Sequence, residues 1–256
     1  MSIKSYFTNP LNWVSGDIAI DLGTANTLVY IKGKGVMINE PSIVAKSVHD
    51  DKIIAVGYEA KAMVGRTHRE IETVRPLRDG VIADFNMTDG LLQGFINKIN
   101  MNRLARPRMV ICVPSGVTEV ERRAVRDSGE RANAREVYLI EEPVAAAIGI
   151  GLDISKAVGN IIIDIGGGTT EIAVLSLGGV VYANSLRVAG DGMDLAIINY
   201  MRKHFNLLVG EASAEKIKKE IGTALPTSNN TYLMKGRDIR SGTPKEIALK
   251  EEDTAE

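Results

Sequence analysis

Two short glycine turns, each directly after an aspartate at the end of an apolar run, carry the chemistry that this sequence predicts. The first is DLGTAN (21–26) and the second is DIGGGTT (164–170). Glycine, threonine and asparagine in such turns let backbone N–H groups converge on an anion, and threonine hydroxyls add donors. An aspartate beside phosphates repels them unless a cation lies between. Asp21 and Asp164 together therefore predict Mg²⁺, which prefers carboxylates, waters and phosphate oxygens.

The two turns belong to an internal repeat. Both are followed by a strand, a glycine turn and another strand, which argues against a dinucleotide fingerprint because that motif needs a helix after its glycines. Either turn alone is interpreted more simply as a tight hairpin, but two turns in matching register favour a duplicated unit. A shift of 143 positions aligns Ile18, Ile20, Asp21, Gly23, Thr27 and Gly35 with Ile161, Ile163, Asp164, Gly166, Thr170 and Gly178.

Strands and helices alternate around the turns, which predicts an α/β layer architecture. Pro114 ends one predicted strand, Thr118 and Glu121 have the spacing of a capping box, and Pro143 suits the first turn of a helix. Ser213 is the predicted N-cap of a later helix. In chain order, the pattern predicts strands at 17–22, 27–32, 36–47 and 108–114, a helix at 118–133, a strand at 136–140, helices at 141–152, 192–205 and 213–222, and a last strand at 245–250 within a polar, turn-rich end.

The composition excludes several classes of protein. The length of 256 residues allows one large domain or two smaller ones, and two lobes are expected. A formal net charge of −1 gives no global attraction to nucleic acid or to acidic lipid. The sequence has no run of about 18 apolar residues that would span a membrane. Its first 16 residues lack the apolar core and cleavage site of a signal peptide.

Other common reactive sites are not indicated by the sequence. Cys112 is the single cysteine and lies in the apolar run MVICVP, so a buried, inert thiol and a reducing, cytosolic setting are expected. His49, His68 and His204 are widely separated along the chain, which argues against a zinc site. The sequence contains neither the GxxxxGK[ST] phosphate loop nor the GxSxG nucleophile elbow.

Three longer motifs place the glycine turns in a known superfamily. The segments IDLGTANTLVY, IEEPVAAAIG and IDIGGGTTEIAVLS, in that order, resemble the phosphate-1, connect-1 and phosphate-2 motifs of the actin, Hsp70 and sugar kinase superfamily. Within it, GTANTLVYIKGKG, NEPSIVA and RPLRDGVIADF resemble the MreB family of bacterial actins. The resemblance extends from about Asp17 to about Ile247.

The resemblance implies an actin-like, ribonuclease H-like fold of two α/β domains with duplicated mixed β-sheets flanked by helices, and a nucleotide between the domains. It also implies that the family continues beyond Glu256, so that the second domain is incomplete here. The implied parts are a membrane-proximal segment (1–16), a first domain (17–152) with an outer insertion at about 42–76, and a second domain (153–256) with an inner part at about 153–189 and an outer part at about 190–247.

The resemblance also assigns site residues. Asp21 and Asp164 correspond to the carboxylates that face Mg²⁺, mostly through water, and Glu142 corresponds to the residue that polarises the attacking water. A helix-cap carboxylate is the alternative for Glu142, and Glu141 is its substitute in the catalytic role. The residues implied to bind the nucleotide are Gly23, Thr24, Ala25 and Asn26 in the first turn, Gly166, Gly167, Gly168 and Thr169 in the second, Gly190 and Asp191 at the ribose, and Glu215, Lys218 and Lys219 on the helix beside the base.

Two of these assignments retain alternatives. The family usually has two glycines in the ribose turn, and Ala189 replaces the first of them, which weakens the assignment of Gly190 and Asp191. The helix that carries Glu215, Lys218 and Lys219 is also consistent with a solvated, charged face.

The implied function is that of a cytoskeletal protein that binds ATP and Mg²⁺, hydrolyses ATP slowly and polymerises with itself into filaments of paired protofilaments. It would lie in the cytoplasm at the inner face of the membrane and guide peptidoglycan synthesis in rod-shaped cells, with the elongation proteins RodZ, MreC and MreD as partners and no nucleic acid. The alternatives are a phosphotransferase of the same superfamily and a non-hydrolysing interaction fragment. Residues 1–14 and the loop 100–108 are the candidate membrane contacts, and an ordinary flexible terminus is the alternative for the first.

Overall fold

The computed structural model describes residues 16–66, 68–78, 80–99 and 106–255. The chain divides into two compact units, Met1–Arg187 and Val188–Glu256. Nearly all of the predicted membrane-proximal segment (1–16) and most of the loop 100–108 lie outside the described residues, so those two predictions stay as they are. Among the described residues, no helix has the length and apolar character needed to cross a membrane.

The described part of the first unit contains four sheets and four helices. Its strands are β1 (Ile18–Leu22), β2 (Asn26–Ile31), β3 (Gly35–Pro41), β4 (Val44–Ser47), β5 (Ile53–Val56), β6 (Ile71–Val74), β7 (Leu77–Arg78), β8 (Val81–Ile82), β9 (Arg108–Val113), β10 (Glu136–Glu141), β11 (Asn160–Ile165), β12 (Thr170–Ser176) and β13 (Gly179–Leu186). Its helices are α1 (Tyr58–Met63), α2 (Phe85–Lys98), α3 (Glu119–Arg131) and α4 (Glu142–Gly149). The sheet orders are β10-β9-β1-β2-β3, β11-β12-β13, β5-β4-β6 and β7-β8.

The second unit has one described sheet and three described helices. Its elements are α5 (Gly190–Phe205), β14 (Leu207–Leu208), α6 (Glu211–Ile221), β15 (Thr231–Asp238), β16 (Pro244–Lys250) and α7 (Glu252–Ala255), and its strand order is β14-β15-β16. Met201 and Ile217 are buried where α5 and α6 pack on this sheet.

The predicted repeat has a physical counterpart in strand register. In the first hairpin Ile18 pairs with Ile31 and Leu22 with Thr27. In the second hairpin Ile161 pairs with Val174 and Ile165 with Thr170, which is the same register after the shift of 143 positions. Both hairpins therefore place their aspartate one residue before the end of the first strand.

Apolar burial fixes the large sheet of the first unit. Alternating residues of β1, Ile18 and Ile20, are buried against Leu91 and Phe95 of α2. Complete burial of each such side chain stabilises a fold by roughly 1.5–3 kcal/mol. Helix α3 covers the same sheet and begins with the predicted capping box, in which the Thr118 hydroxyl and the Glu121 carboxylate satisfy each other's backbone N–H groups. Packing of α2 and α3 on the sheet thereby fixes the positions of the ends of β1 and β9.

Two local predictions were wrong, and one strand was missed. The segment 36–47 is not one strand, because Ser42 hydrogen-bonds to the first glycine turn and separates β3 from β4, which belong to different sheets. Ser213 is not an N-cap, because α6 already begins at Glu211 with Gly210 as its cap. The turn-rich end also contains the strand β15, which pairs along its length with β16.

The two compact units do not coincide with the two predicted domains. The predicted boundary lies at 152/153, whereas the units meet at Arg187 and Val188. The sheet of β11, β12 and β13 packs with the first unit through Ala147 of α4, which is buried against Ile162, Ala173 and Leu175. The compact units are defined by contacts within the chain, whereas the predicted domains are defined by the sequence repeat and the family resemblance. The units therefore do not test the predicted domain boundaries, which stay predictions.

Candidate functional site

The first glycine turn joins β1 to β2, and Ser42 holds it with two hydrogen bonds. The Ser42 hydroxyl donates to the Gly23 carbonyl at 2.6 Å, and the Ser42 N–H donates to the Ala25 carbonyl at 2.9 Å. A Cβ on Gly23 would lie 2.7 Å from the Asn26 carbonyl oxygen, so only glycine fits this closure. The turn is therefore rigid at the point where β1 ends.

The second turn joins β11 to β12 and closes in the same way. The Gly166 N–H donates to the Thr169 carbonyl at 2.9 Å, and a Cβ on Gly166 would lie 3.3 Å from the same oxygen. Thr169 is buried. The glycine and the carbonyl that it faces occupy the positions of Gly23 and Asn26 in the repeat.

The structure brings the two turns together. A Cβ on Gly167 would lie 2.5 Å from the Ala25 Cβ and 3.2 Å from the Ala25 nitrogen, so the backbones of the two turns nearly touch. Gly80 completes the junction, since its N–H donates to Thr24 Oγ1 at 3.1 Å and a Cβ on it would lie 2.7 Å from Thr169 Cγ2. Sequence reasoning did not nominate Gly80.

Three predicted carboxylates interact electrostatically beside these turns. Asp21 reaches solvent, yet protein atoms crowd its carboxyl group on the other sides, and this desolvation together with the Asp164 charge raises its pKa. Burial raises the pKa of Glu142 to about 8, and the charges of Asp21, Glu171 and Asp164 add to the effect. Like charges in a poorly solvated place disfavour ionisation unless a cation compensates them.

These carboxylates suit a cation that is held mainly through water. Within the described ranges, no group of three or more His, Cys, Asp or Glu side chains lies close enough to hold a metal ion directly. Mg²⁺ commonly keeps several waters and binds through one or two carboxylates and substrate phosphates. The donor set of Asp21 and Asp164 fits that mode of binding.

Glu142 and Glu141, the two candidates for the catalytic carboxylate, lie at the start of α4. Glu142 is the first residue of α4, and a helix N-terminus stabilises a carboxylate and so lowers its pKa. Glu141 occupies the N-cap position of α4, and no side chain makes a capping hydrogen bond there. Glu141 accepts from Arg122 Nη2 at 3.4 Å, which directs its carboxylate to α3.

Sequence reasoning missed Glu171, the most deeply buried carboxylate near the turns. Its side chain is 1% exposed, and Oε2 accepts from the Ser115 N–H at 3.3 Å. Strand β12 alternates in burial, and Glu171 lies on its buried side with Ala173 and Leu175. A charged residue at an inward position of an otherwise apolar strand was the signal that could have revealed it.

Cys112 lies beside the same carboxylates. It is the parallel-strand partner of Asp21 on β9 and is half-buried. Burial raises the pKa of its thiol to about 12, and the charges of Asp21, Glu142 and Asp164 add to the effect. The thiol is neutral at physiological pH, in agreement with an inert role.

The residues predicted to bind ribose and base lie in the second unit. Lys218 Nζ on α6 donates to the Gly190 carbonyl at 2.9 Å and forms an ion pair with Asp194 Oδ1 at 2.9 Å. Lys219 Nζ and Glu215 Oε1 pair at 2.7 Å across one helical turn. Asp191 follows Gly190 in the first turn of α5. The structure thus links Lys218 to the predicted ribose turn, while Glu215 and Lys219 pair with each other.

The first unit also contains a cavity of about 330 Å³ that adjoins the second glycine turn at Thr169. Segments from four places in the sequence form its walls. They are Gly80, Val81, Pro114, Ser115, Gly116, Val117, Thr169, Ala183, Asn184, Ser185 and Arg187.

Comparison with known sequences supports one family. A family model described as MreB/Mbl protein matches residues 15–256. The chain is 51% identical over 249 residues to the cell shape-determining protein MreB of Escherichia coli K12, covering 94% of the chain and 72% of that protein. It is 47% identical over 242 residues to the cell shape-determining protein Mbl of Bacillus subtilis 168, covering 94% of the chain and 73% of that protein.

Comparison with solved structures confirms the predicted actin-like fold. The chain matches the crystal structures of MreB5 of Spiroplasma citri bound to AMPPNP and to ADP with a TM-score of 0.88 and 40% identity, covering 94% of this chain and 73% of those. A MamK double helical filament matches with a TM-score of 0.76 and 22% identity, over 91% of this chain and 72% of that one, and shows the fold alone.

Proposed function

The chain belongs to the MreB/Mbl family, and on that basis we propose that it is an ATP-binding cytoskeletal protein that polymerises and determines rod cell shape. Membership of this actin-like family and the nucleotides in the two MreB5 structures support ATPase activity in general. The observation that carries the proposal for this chain is the contact between its two glycine turns beside Asp21, Asp164 and Glu142.

The geometry supports a division of roles. Backbone N–H groups of Gly23–Asn26 and Gly166–Thr169 would bind the phosphates, with the Thr24 and Thr169 side chains at the junction. Asp21 and Asp164 would hold the waters of Mg²⁺. When bound, Mg²⁺ supplies positive charge that neutralises the phosphates and the carboxylates.

Glu142 would act on the water that attacks the γ-phosphate. As the water oxygen bonds to the γ-phosphorus, the bond to the β–γ bridging oxygen breaks, and Glu142 accepts the proton of the water. Glu142 would accept this proton as an ionised carboxylate, and a bound cation would supply positive charge that lowers its pKa from about 8. We propose that this hydrolysis is slow, and that Gly190, Asp191, Glu215, Lys218 and Lys219 serve the ribose and the base.

The cellular part of the proposal follows the family. The MreB and Mbl relatives are named as cell shape-determining proteins, which supports a cytoskeletal role. We propose filaments at the cytoplasmic face of the membrane, built of paired protofilaments, that guide peptidoglycan synthesis with RodZ, MreC and MreD. Vesicle flotation of the chain with and without residues 2–14 tests the membrane contact.

Titration calorimetry of ATP into the 256-residue chain, with and without Mg²⁺, tests the site directly. Binding should require Mg²⁺ and should be lost in Asp164→Ala. Asp153→Ala is the matched control, because Asp153 is an exposed carboxylate of the same unit that pairs with Lys156, and it should bind as the wild type does. Absence of binding by the wild-type chain, or unchanged binding by Asp164→Ala, would contradict the proposal.

Sedimentation and turnover separate the alternatives. ATP-dependent pelleting should disappear in a variant that combines Glu142→Ala with Asp164→Ala. Phosphoryl transfer to a panel of sugars would instead indicate a phosphotransferase, and tight ATP binding without turnover would indicate a non-hydrolysing interaction fragment.

A further inference from the structure

Glu171 is a buried carboxylate whose hydrogen bonding is half complete. Its side chain is 1% exposed, and only Oε2 has a protein partner among the described residues, the Ser115 N–H at 3.3 Å. Oε1 is buried and no described group donates to it. Since buried polar atoms are nearly always hydrogen-bonded, to protein or to an ordered water, this oxygen requires a donor.

Ser115 contributes a second buried polar atom that lacks a hydrogen-bond partner among the described residues. Its hydroxyl oxygen is also buried and has no partner among the described residues, although its own backbone N–H contacts Glu171. Ser115 also lines the cavity of about 330 Å³, so the buried Ser115 hydroxyl lies beside a space large enough for water. One water that donates to Glu171 Oε1 and hydrogen-bonds to Ser115 Oγ would satisfy both groups.

Glu171 also lies next to a residue that is predicted to take part in hydrolysis. Glu171 follows the second glycine turn by two residues, and it is the cross-strand partner of Asp164 on β11, so both carboxylates project from the same face of the sheet. The position that corresponds to Glu171 in the first repeat is Leu28, the cross-strand partner of Asp21. The second repeat therefore carries a buried charge that the duplicated hairpin does not need for its fold.

We propose that Glu171 and Ser115 hold a buried water beside the second glycine turn, and that Glu171 thereby acts as a positioning residue for hydrolysis and not for nucleotide binding. The influence of Glu171 on Glu142 supports this, because it places the two carboxylates within electrostatic range. The effect of Glu171 on hydrolysis rests on the proposed ATPase function, whereas the buried water does not. The water itself is a property of the chain.

Glu171→Leu is the decisive variant, because leucine is the residue at the equivalent position of the first repeat. It should fold with a Tm that is lower by a few degrees at most, because the Ser115 N–H loses its acceptor while an incompletely paired buried carboxylate is removed. The Kd for ATP with Mg²⁺ should stay within about threefold, while single-turnover hydrolysis falls by about 100-fold, the loss expected from a small misplacement of reacting groups. Glu171→Gln keeps one acceptor oxygen and should restore part of the rate.

The matched control is Glu251→Gln, a buried carboxylate of the second unit whose oxygens accept from Ser228, Thr227 and Asn230. It should lower the Tm and leave turnover unchanged. Wild-type turnover in Glu171→Leu, or a loss of ATP affinity that parallels the loss of rate, would overturn the positioning role.

A high-resolution crystal structure of the chain tests the water without ATP. Density for a water within hydrogen-bond distance of Glu171 Oε1 and Ser115 Oγ, lost in Glu171→Leu, is expected. A direct bond between the two side chains, or no density, would overturn the inference. If instead the wild-type chain binds no ATP while the water is present, the proposed function fails and the water site stands.

Discussion

Adding one methyl group to the second glycine turn tests whether the two turns form a single site. In Gly167→Ala, the new Cβ would lie 2.5 Å from the Ala25 Cβ and 3.2 Å from the Ala25 nitrogen. Carbon atoms without a bond between them settle at about 3.5–4.0 Å. The two turns must therefore separate by about 1 Å. The atoms that resist are backbone and a Cβ, which cannot rotate away.

The cost is expected in function more than in stability. Overpacking costs about 1–3 kcal/mol, which in a chain of this size lowers Tm by roughly 2–4 °C for each kcal/mol. A displacement of about 1 Å between groups that hold the reacting phosphate can cost about 100-fold in rate. Gly167→Ala should therefore remain folded, with hydrolysis reduced by about 100-fold and weaker ATP binding.

Calorimetric ATP titration, single-turnover hydrolysis and thermal melting of the same preparations measure these effects. Gly179→Ala is the matched control, because Gly179 lies in the same sheet and a Cβ there meets nothing within 4 Å. If Gly167→Ala bound and hydrolysed ATP like the wild type, the contact between the turns would not be part of the phosphate site.

Three further predictions concern other parts of the chain. The pKa of Cys112, about 12 against an ordinary 9.0, makes its thiolate about 1000-fold scarcer at pH 8, so iodoacetamide should alkylate it about 1000-fold more slowly than an unstructured cysteine peptide; a comparable rate would contradict the burial of the thiol. Thr118→Ala removes the capping box of α3 and should cost about 1 kcal/mol in urea denaturation, whereas the exposed Glu130→Ala should cost almost nothing. Hydrogen bonds from the Ser241 N–H, Lys245 and the Arg240 N–H lower the pKa of Asp238 from 3.8 to about 2, so its stabilising effect is present above pH 4 and is lost as the pH falls toward 2. The Tm difference between wild type and Asp238→Asn should shrink over that range, and a difference that is constant with pH would refute the assignment.

What the sequence predicted well was local. The glycine turns, the capping box of Thr118 and Glu121, and the strand ended by Pro114 depend on residues within a few positions of one another, and each leaves a readable pattern. The register of the two hairpins was also predictable, because the matching residues recur at one fixed spacing.

What the sequence could not predict depends on contacts between distant segments. Gly80 reaches Thr24 from 56 positions away, and Ser115 reaches Glu171 from the same separation. Ser42 interrupts what looked like one strand only because the first turn offers it two carbonyl groups. In each case a polar side chain or a backbone N–H finds a partner that no local pattern specifies.

The pairing of β1 has a consequence for the order in which the chain can fold during synthesis. Its antiparallel edge pairs with β2 through a short turn, so that hairpin can form in microseconds once residue 31 is free. Its parallel edge waits for β9, since Ile18 pairs with Met109. At a synthesis rate of about 5–20 residues per second, the edge stays open for several seconds. An apolar strand edge exposed for that long is a target for mispairing, and a holdase that covers the nascent first hairpin should raise the yield of folded chain.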